Sequence, residues 1–407
     1  MRSRYLLVSL GCAALLTPVR SEEAAPPPAI STPPAFALID AVNHAPSINA
    51  TRARAEAARE RVAASGRFPD PQLEGMLSQR RTPSEDMPMW EVTLRQPLPK
   101  AGERAADRDR AAAAAVMALA DYAVMAGEMT ADVAMALADA DAADERATLV
   151  ARQLTRTEQL LTALDARVAT GASRLAERLS LQTRLASLRL MRDQENRMAE
   201  DSRSEVRGLL GLPPSAPLPS YAGPAFSEIE PETVPLVRLS VARADEARAM
   251  ARMARASARP MTAVGLRFER EQERMGNNDT IGISFMTELP FRGRGYARAE
   301  ERATRAEEAA AHAEANSTRH RVAAALARVA RAERLAAATR KFATDTAARL
   351  DAEYDALARS NDTSVTLALD ILDRLTEARL QVIEAEASVR SARAELWRYA
   401  PASTFTP

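Results

Sequence analysis

The chain repeats its own punctuation. Pro69 and Pro260 stand 191 residues apart, and so do Pro99 and Pro290, Leu98 and Leu289, and Gly102 and Gly293. A constant offset among residues that end helices and open strands marks an internal duplication. Whatever one half folds into, the other half folds into as well. Each half follows one order. A helix (Phe36 to Arg67; Val234 to Arg259) leads into two short strands (Gln72 to Ser78 with Met89 to Gln96; Met261 to Glu269 with Thr280 to Thr287). A very long helix follows (Gly102 to Thr170; Arg294 to Arg359), and a second one returns (Ser173 to Leu210; Ser364 to Tyr399). Prolines stand at the strand boundaries, where a helix must stop. This divides the chain into a leader over 1–21, a proline- and alanine-rich lead-in over 22–34, a first repeat over 35–212, a linker over 213–233, a second repeat over 234–400 and a short tail over 401–407.

The strands alternate. Leu73, Gly75 and Leu77 share a face with Trp90, Val92 and Leu94, while Gln72, Glu74, Ser78, Glu91, Thr93 and Arg95 point the other way. In the second half Val264, Leu266 and Phe268 share a face with Ile281, Ile283 and Phe285, opposite Arg267, Glu269, Ser284 and Thr287. The parity survives the offset, with Trp90 matching Ile281 and Leu94 matching Phe285. Two readings fit this pattern. One is an amphipathic hairpin packed on a soluble core; the other is a transmembrane β-barrel wall with lipid outside and water inside. Four strands cannot close a barrel, and open sheet edges cannot sit in lipid. The barrel reading therefore requires several chains. It also puts the turns Arg80 to Pro88 and Glu271 to Asn278 on the cell exterior.

About 68 residues of unbroken helix extend roughly 100 Å at 1.5 Å per residue. On the last helix Leu375, Ala378, Val382, Ala385, Val389, Ala392 and Leu396 recur at alternating spacings of three and four, a heptad seam in which small residues let helices approach closely. The long helices meet at two tips, Arg167 to Ser173 and Ala358 to Ser364. Gly171 is a natural helix stop, and Asp362 or Thr363 can cap the helix that follows. The offset makes Gly171 equivalent to Asp362.

Composition closes off several function classes. Lys+Arg and Asp+Glu are equal at 55 each, so net charge gives no reason to expect nucleic acid. Arg104, Arg108 and Arg110 interleave with Asp107 and Asp109, as on a salt-bridged helix surface. No P-loop, dinucleotide fingerprint, zinc motif or nucleophile elbow is present, and His44, His312 and His320 lack clustered partners. No enzyme activity, cofactor or metal site is expected. Arg2 and Arg4 precede an apolar run from Tyr5 to Leu16, with Val19 and Ser21 at a cleavage site, which reads as an export signal. That run is too short to span a bilayer, and no later segment reads as a transmembrane helix. The single cysteine, Cys12, rules out an internal disulfide. Within Ser9-Leu10-Gly11-Cys12 it stands either in a partial lipobox, as a lipidation site, or in a discarded signal peptide.

The order helix, strand pair, long helix, tip and returning helix, stated twice, resembles the TolC family of outer membrane efflux proteins over residues 35–400. Phe68-Pro69-Asp70-Pro71-Gln72-Leu73 is similar to the entry into the first strand in the heavy-metal efflux branch of that family. Gln96-Pro97-Leu98-Pro99-Lys100-Ala101-Gly102 and Leu289-Pro290-Phe291-Arg292-Gly293 are similar to its two exits into long helices. The resemblance implies a mainly α fold with a small β part. It implies a homotrimer whose chains give four strands each to a 12-stranded barrel in outer-membrane lipid, and whose helices form a periplasmic α-barrel tunnel. It implies a passive exit duct in the outer membrane of a Gram-negative cell, fed by an inner-membrane pump through a periplasmic adaptor (membrane fusion protein). The adaptor would meet the tips at Thr170, Gly171 and Ala172 and at Asn361, Asp362 and Thr363.

Leu369-Asp370-Ile371-Leu372-Asp373 resembles the family's paired aspartates beyond the second tip, and Glu177 resembles the acid that follows the first. Asp370 and Asp373 lie three apart on one helical face, and threefold rings of them would attract cations. Near Asn361 to Thr366 nothing matches the tyrosine and arginine that close the tip in some members, and Tyr354 lies too far upstream to carry over. Metal cations are the first cargo this resemblance suggests, and drugs or other small molecules the second. The competing function is a soluble periplasmic coiled-coil adaptor or structural protein. An adaptor would carry one helical hairpin and a lipoyl-like domain, whereas this chain has two hairpins.

Overall fold

The computed structural model describes residues 34–81, 86–170, 175–224, 229–273, 276–288, 294–358 and 365–405. Cys12, Gly171, Ala172, Asn361, Asp362 and Thr363 lie outside the described residues.

The elements run α1 (Pro34–Asn43), α2 (Pro46–Ala64), β1 (Gln72–Arg81), β2 (Asp86–Leu98), α3 (Glu103–Ala169) and α4 (Leu175–Leu210). They continue with α5 (Pro235–Ser257), β3 (Thr262–Glu273), β4 (Gly276–Thr287), α6 (Arg294–Ala358) and α7 (Val365–Glu395). Short 3-10 turns precede α5 and follow α7. The expected first helix is in fact two. Pro46 opens α2 at its first position, after Ala45 in an extended conformation, because proline begins a helix well but cannot continue one. That helix stops at Ala64, ahead of Gly66, whose φ of 63° only glycine adopts cheaply. A Cβ there would also stand 2.5 Å from the Arg108 side chain.

All four strands belong to one antiparallel sheet in the order β1-β2-β3-β4. Each hairpin reaches further than the alternation alone indicates. Gly276, Asn277 and Asn278, expected in a turn, lie in β4 opposite Glu273, Gln272 and Glu271. Ladder pairing to a neighbouring strand outweighs their turn preference.

Alanine sets the packing of α3. Its buried positions are mostly alanines, whose small side chains let α2, α4, α5 and α7 approach it closely. The main core gathers where Leu38 and Ile48 of the N-terminal helices, Tyr122 and Val133 of α3, Val206 of α4 and Trp397 after α7 meet. The linker crosses this point: the Tyr221 hydroxyl donates to the Arg390 carbonyl at 2.8 Å, and Trp397 Nε1 donates to the Ala222 carbonyl at 3.0 Å. Between Arg110 and Arg146, α3 carries seven carboxylates and no lysine or arginine, so the balancing charge must come from other helices. Arg390 of α7 reaches Glu145 at 2.7 Å, Arg398 reaches Asp132 at 2.8 Å, and Arg203 of α4 meets Asp144.

One expectation is corrected. By length and composition α3 does contain a window apolar enough to cross a membrane. That window is alanine-rich rather than rich in large apolar side chains, which is why the sequence pattern did not flag it. The seam on α7 is as expected, with Leu375, Ala378, Ala385, Val389 and Ala392 buried and Val382 and Leu396 half-buried.

Candidate functional site: the sheet faces and the tunnel entrance

Residues directly opposite in an antiparallel ladder point to the same side, so the register fixes both faces of the sheet. Leu73 pairs with Leu94, Leu94 with Leu266, and Leu266 with Ile283. One layer further from the helices, Gly75, Val92, Phe268 and Ile281 follow in the same way. The apolar residues of both repeats thus form one face, with the parity expected. That face is open: Leu77 is 88% exposed, Ile283 80% and Phe285 68%. Among the described residues no packed core covers it, which weighs against an amphipathic hairpin laid on a soluble core.

Toward the turns this face ends in a distinct rim. Trp90 and Phe268 have ring centroids 5.2 Å apart, and the Arg270 guanidinium lies 5.7 and 5.8 Å from them. Arg270 also grips Asp279 through two hydrogen bonds of 2.5 and 2.6 Å. The pair neutralises itself, so it can stand beside hydrocarbon where a lone charge could not. The opposite face is polar and cross-linked. Arg267 bonds Glu91 at 2.8 Å and Glu269 at 2.9 Å, and Arg95 bonds Glu74 at 3.2 Å. Thr93 is buried among them and donates to Glu91 at 2.9 Å.

Where sheet meets helices, the two repeats hold each other by main-chain contacts. Lys100 Nζ donates to the Ser257 carbonyl at the end of α5 (2.5 Å), and Arg259 donates to the Ala101 carbonyl (2.7 Å). Lys100 N also bonds the Glu103 carboxylate at 2.8 Å, fixing the start of α3.

At the far end of the helices, Asp370 and Asp373 are both exposed, and each is paired. Asp370 bonds Arg374 of its own helix at 3.0 Å, and Asp373 bonds Arg184 of α4. Glu177 is half-buried. Thr170 closes α3 by donating to the Arg167 carbonyl at 3.0 Å. Tyr354 lies under Arg156 of the other hairpin, 5.5 Å from ring centre to guanidinium. Sequence reasoning missed Arg184, Arg374 and Arg156. Arg374 follows Asp370 at helical spacing and was legible; the other two come from distant parts of the chain. A groove of about 610 Å³ runs between the two hairpins, lined by Leu149, Arg152, Asp351, Arg379 and Val382 among others. Among the described residues no three His, Cys, Asp or Glu side chains gather as a metal site.

An open apolar sheet face backed by a charged one, at the end of paired helical rods, is the pattern a barrel wall in lipid requires. The family model described as "Outer membrane efflux protein" matches residues 38–212, the first of the two repeats. No curated protein sequence matches the chain. Solved structures share its fold. The outer membrane protein VceC of Vibrio cholerae superposes with a TM-score of 0.73 at 14% identity, covering 90% of this chain and 96% of that one. The open state of the Neisseria gonorrhoeae MtrE outer membrane channel gives 0.73 at 16% identity, covering 89% and 87%. CusC gives 0.70 at 13% identity, covering 89% and 90%. The chain thus shares the fold of these outer-membrane channels over about nine-tenths of its length.

Proposed function

We propose that three copies close into one channel, a passive exit duct that receives its cargo from an inner-membrane pump through a periplasmic adaptor. The observation that carries this is the sheet. Its apolar face is continuous over four strands and uncovered, and β1 and β4 each have one side unpaired. Such edges are excluded from lipid unless another chain pairs with them, and three copies would give a barrel of twelve strands. The helices would continue this wall as a tunnel through the periplasm. Its tips, at Thr170 to Ala172 and Asn361 to Thr363, would meet the adaptor. Heavy-metal cations are the first cargo to test, on the strand-entry and strand-exit motifs, and drugs or other small molecules the second. No catalytic chemistry is required of such a duct.

The test is fractionation followed by crosslinking of the isolated membranes. The expected result is outer-membrane protein that crosslinks to a trimer and no further. Soluble monomer in the periplasm would overturn the proposal.

A further inference from the structure

α5 and α6 pack side by side, and the two faces of their seam are unlike. On one face the charges are closed by ion pairs: Arg319 reaches Glu232 at 3.0 Å, and Arg248 reaches Glu308 at 3.2 Å. The other face holds a pocket of about 280 Å³. Arg243 of α5 and Arg321 and Arg328 of α6 line it, and Glu314 is the only carboxylate among the described residues around it. Neither Arg243 nor Arg328 has an ion-pair partner among the described residues. The Arg321 guanidinium donates to the buried Thr318 hydroxyl at 3.0 Å, which holds it over the pocket. Leu236, Leu239 and Val322 make the rest of the lining apolar. Tyr399 lines it too; burial, helped by Glu395, holds its phenol above the usual 10.0, so it stays a hydrogen-bond donor.

The flanks of α5 show which way the pocket opens. Arg238 lines a cavity with Phe405 of the C-terminal turn and Ala123 of α3. Leu236 stands two positions from Arg238, about 200° around the helix. Leu236, Arg243 and Met250 recur every seven residues and so share that opposite flank. Met250 lines a groove there with Asp107 and Ala114 of α3. The C-terminal turn therefore thickens one face of the wall, and the pocket opens on the other. A ring of three such walls keeps an open bore only with the thickened face turned outward, which puts the pocket on the bore. Its α6 residues lie near the middle of that helix, between sheet and tip, so cargo in the bore would pass it.

We infer that this pocket is a station for small organic anions on the inner wall of the duct, with Arg243, Arg321 and Arg328 holding the anionic group and Leu236, Leu239 and Val322 the apolar body. Guanidinium groups grip carboxylate and phosphate oxygens through paired N–H donors. Three of them outweigh Glu314 and repel a metal cation. The volume sits just below the lower end of small-molecule pockets, about 300 Å³, so the occupant is compact. All three arginines are exposed, so water competes for them and the anion is held loosely, as passage through a duct requires. This rests on the duct reading above and adds a cargo class to it, anionic and partly apolar.

Calorimetry on the full protein in lipid nanodiscs, titrated with cyclohexanecarboxylate, tests the station. The acid is expected to bind, more weakly as salt rises, and its neutral amide at least about tenfold more weakly than the acid. Arg243→Gln, Arg321→Gln or Arg328→Gln alone is expected to weaken the acid about fivefold, and the three together to abolish its binding. Arg238→Gln, on the other flank of α5, is expected to change nothing. In planar bilayers the acid is expected to reduce the conductance of the unaltered channel and not that of the triple variant. Equal binding of acid and amide, or unchanged binding in a triple variant of normal size, overturns the anion station and leaves the duct standing. Binding that needs the arginines but leaves conductance unchanged overturns its place on the bore. Periplasmic monomers that still bind the acid overturn the duct, and with it the station's role there.

Discussion

Asp139 is a residue whose charge works against the fold. It stands in the acidic stretch of α3, where burial raises its pKa above the ordinary 3.8 and the nearby Arg146 only partly offsets this. A carboxyl whose pKa is raised in the folded state penalises that state at every pH above the folded value, and the penalty is relieved as pH falls through it. Asp139→Asn should therefore stabilise the fold at pH 7, by under about 1 kcal/mol because water still screens the site. The gain should shrink as pH falls and the native acid takes up its proton; calorimetry across pH checks both. Lys100 acts in the opposite sense. It places a cation on the C-terminal carbonyl of α5, where the helix dipole favours positive charge. Lys100→Met should cost about 1 kcal/mol, seen as a lower unfolding temperature by circular dichroism in detergent.

At the scale of elements, the sheet gives the sharpest test. Leu94→Arg and Phe285→Arg place a charge on the apolar face, at a cost of about 2–4 kcal/mol near the bilayer midplane, and should lower the yield of membrane-inserted protein. Thr93 has the right parity for a silent control but the wrong surroundings. It is buried, and in the ladder it stands between Glu74 and Arg267, so an arginine there would meet Arg267. Thr280 is exposed on the same polar face opposite Glu269, and Thr280→Arg should leave membrane yield unchanged. Equal yields for all three variants would refute the assignment of faces. The faces were legible because alternation is local: each residue's side follows from its neighbours in sequence. The surroundings of Thr93 were not, since they depend on register with β3, which no local pattern carries. Pro46 was a readable break passed over under the helical pattern around it. The Arg184–Asp373 pair, 189 residues apart in sequence, had no signal at all beyond the equivalence of the two tips.

At the scale of the whole molecule, the arginines change what the entrance carboxylates are expected to do. Asp370 and Asp373 with Arg374 and Arg184 make a neutral set in each chain, so a proposed entrance ring built from them would hold guanidinium groups beside its carboxylates. Replacing both aspartates with asparagine would leave two guanidinium groups per chain without carboxylates, six around the proposed threefold axis. The double variant should shift the channel toward anion selectivity in planar bilayers, while Arg184→Gln should make it more cation-selective. If neither variant moves the reversal potential, the selective ring lies elsewhere, and Glu177 is the next position to alter.

The unpaired sides of β1 and β4 reach beyond structure into inheritance. A ring closed by unlike edges has no place for a chain with one sound edge and one damaged edge, because every copy must both give and receive a neighbour. A variant that spoils one edge would still enter rings through the other and spoil them. In a cell making sound and damaged chains equally, only about one ring in eight of the proposed trimers would be made wholly of sound chains under random assembly. Damage to an edge should therefore behave as dominant, whereas loss of the whole chain should behave as recessive.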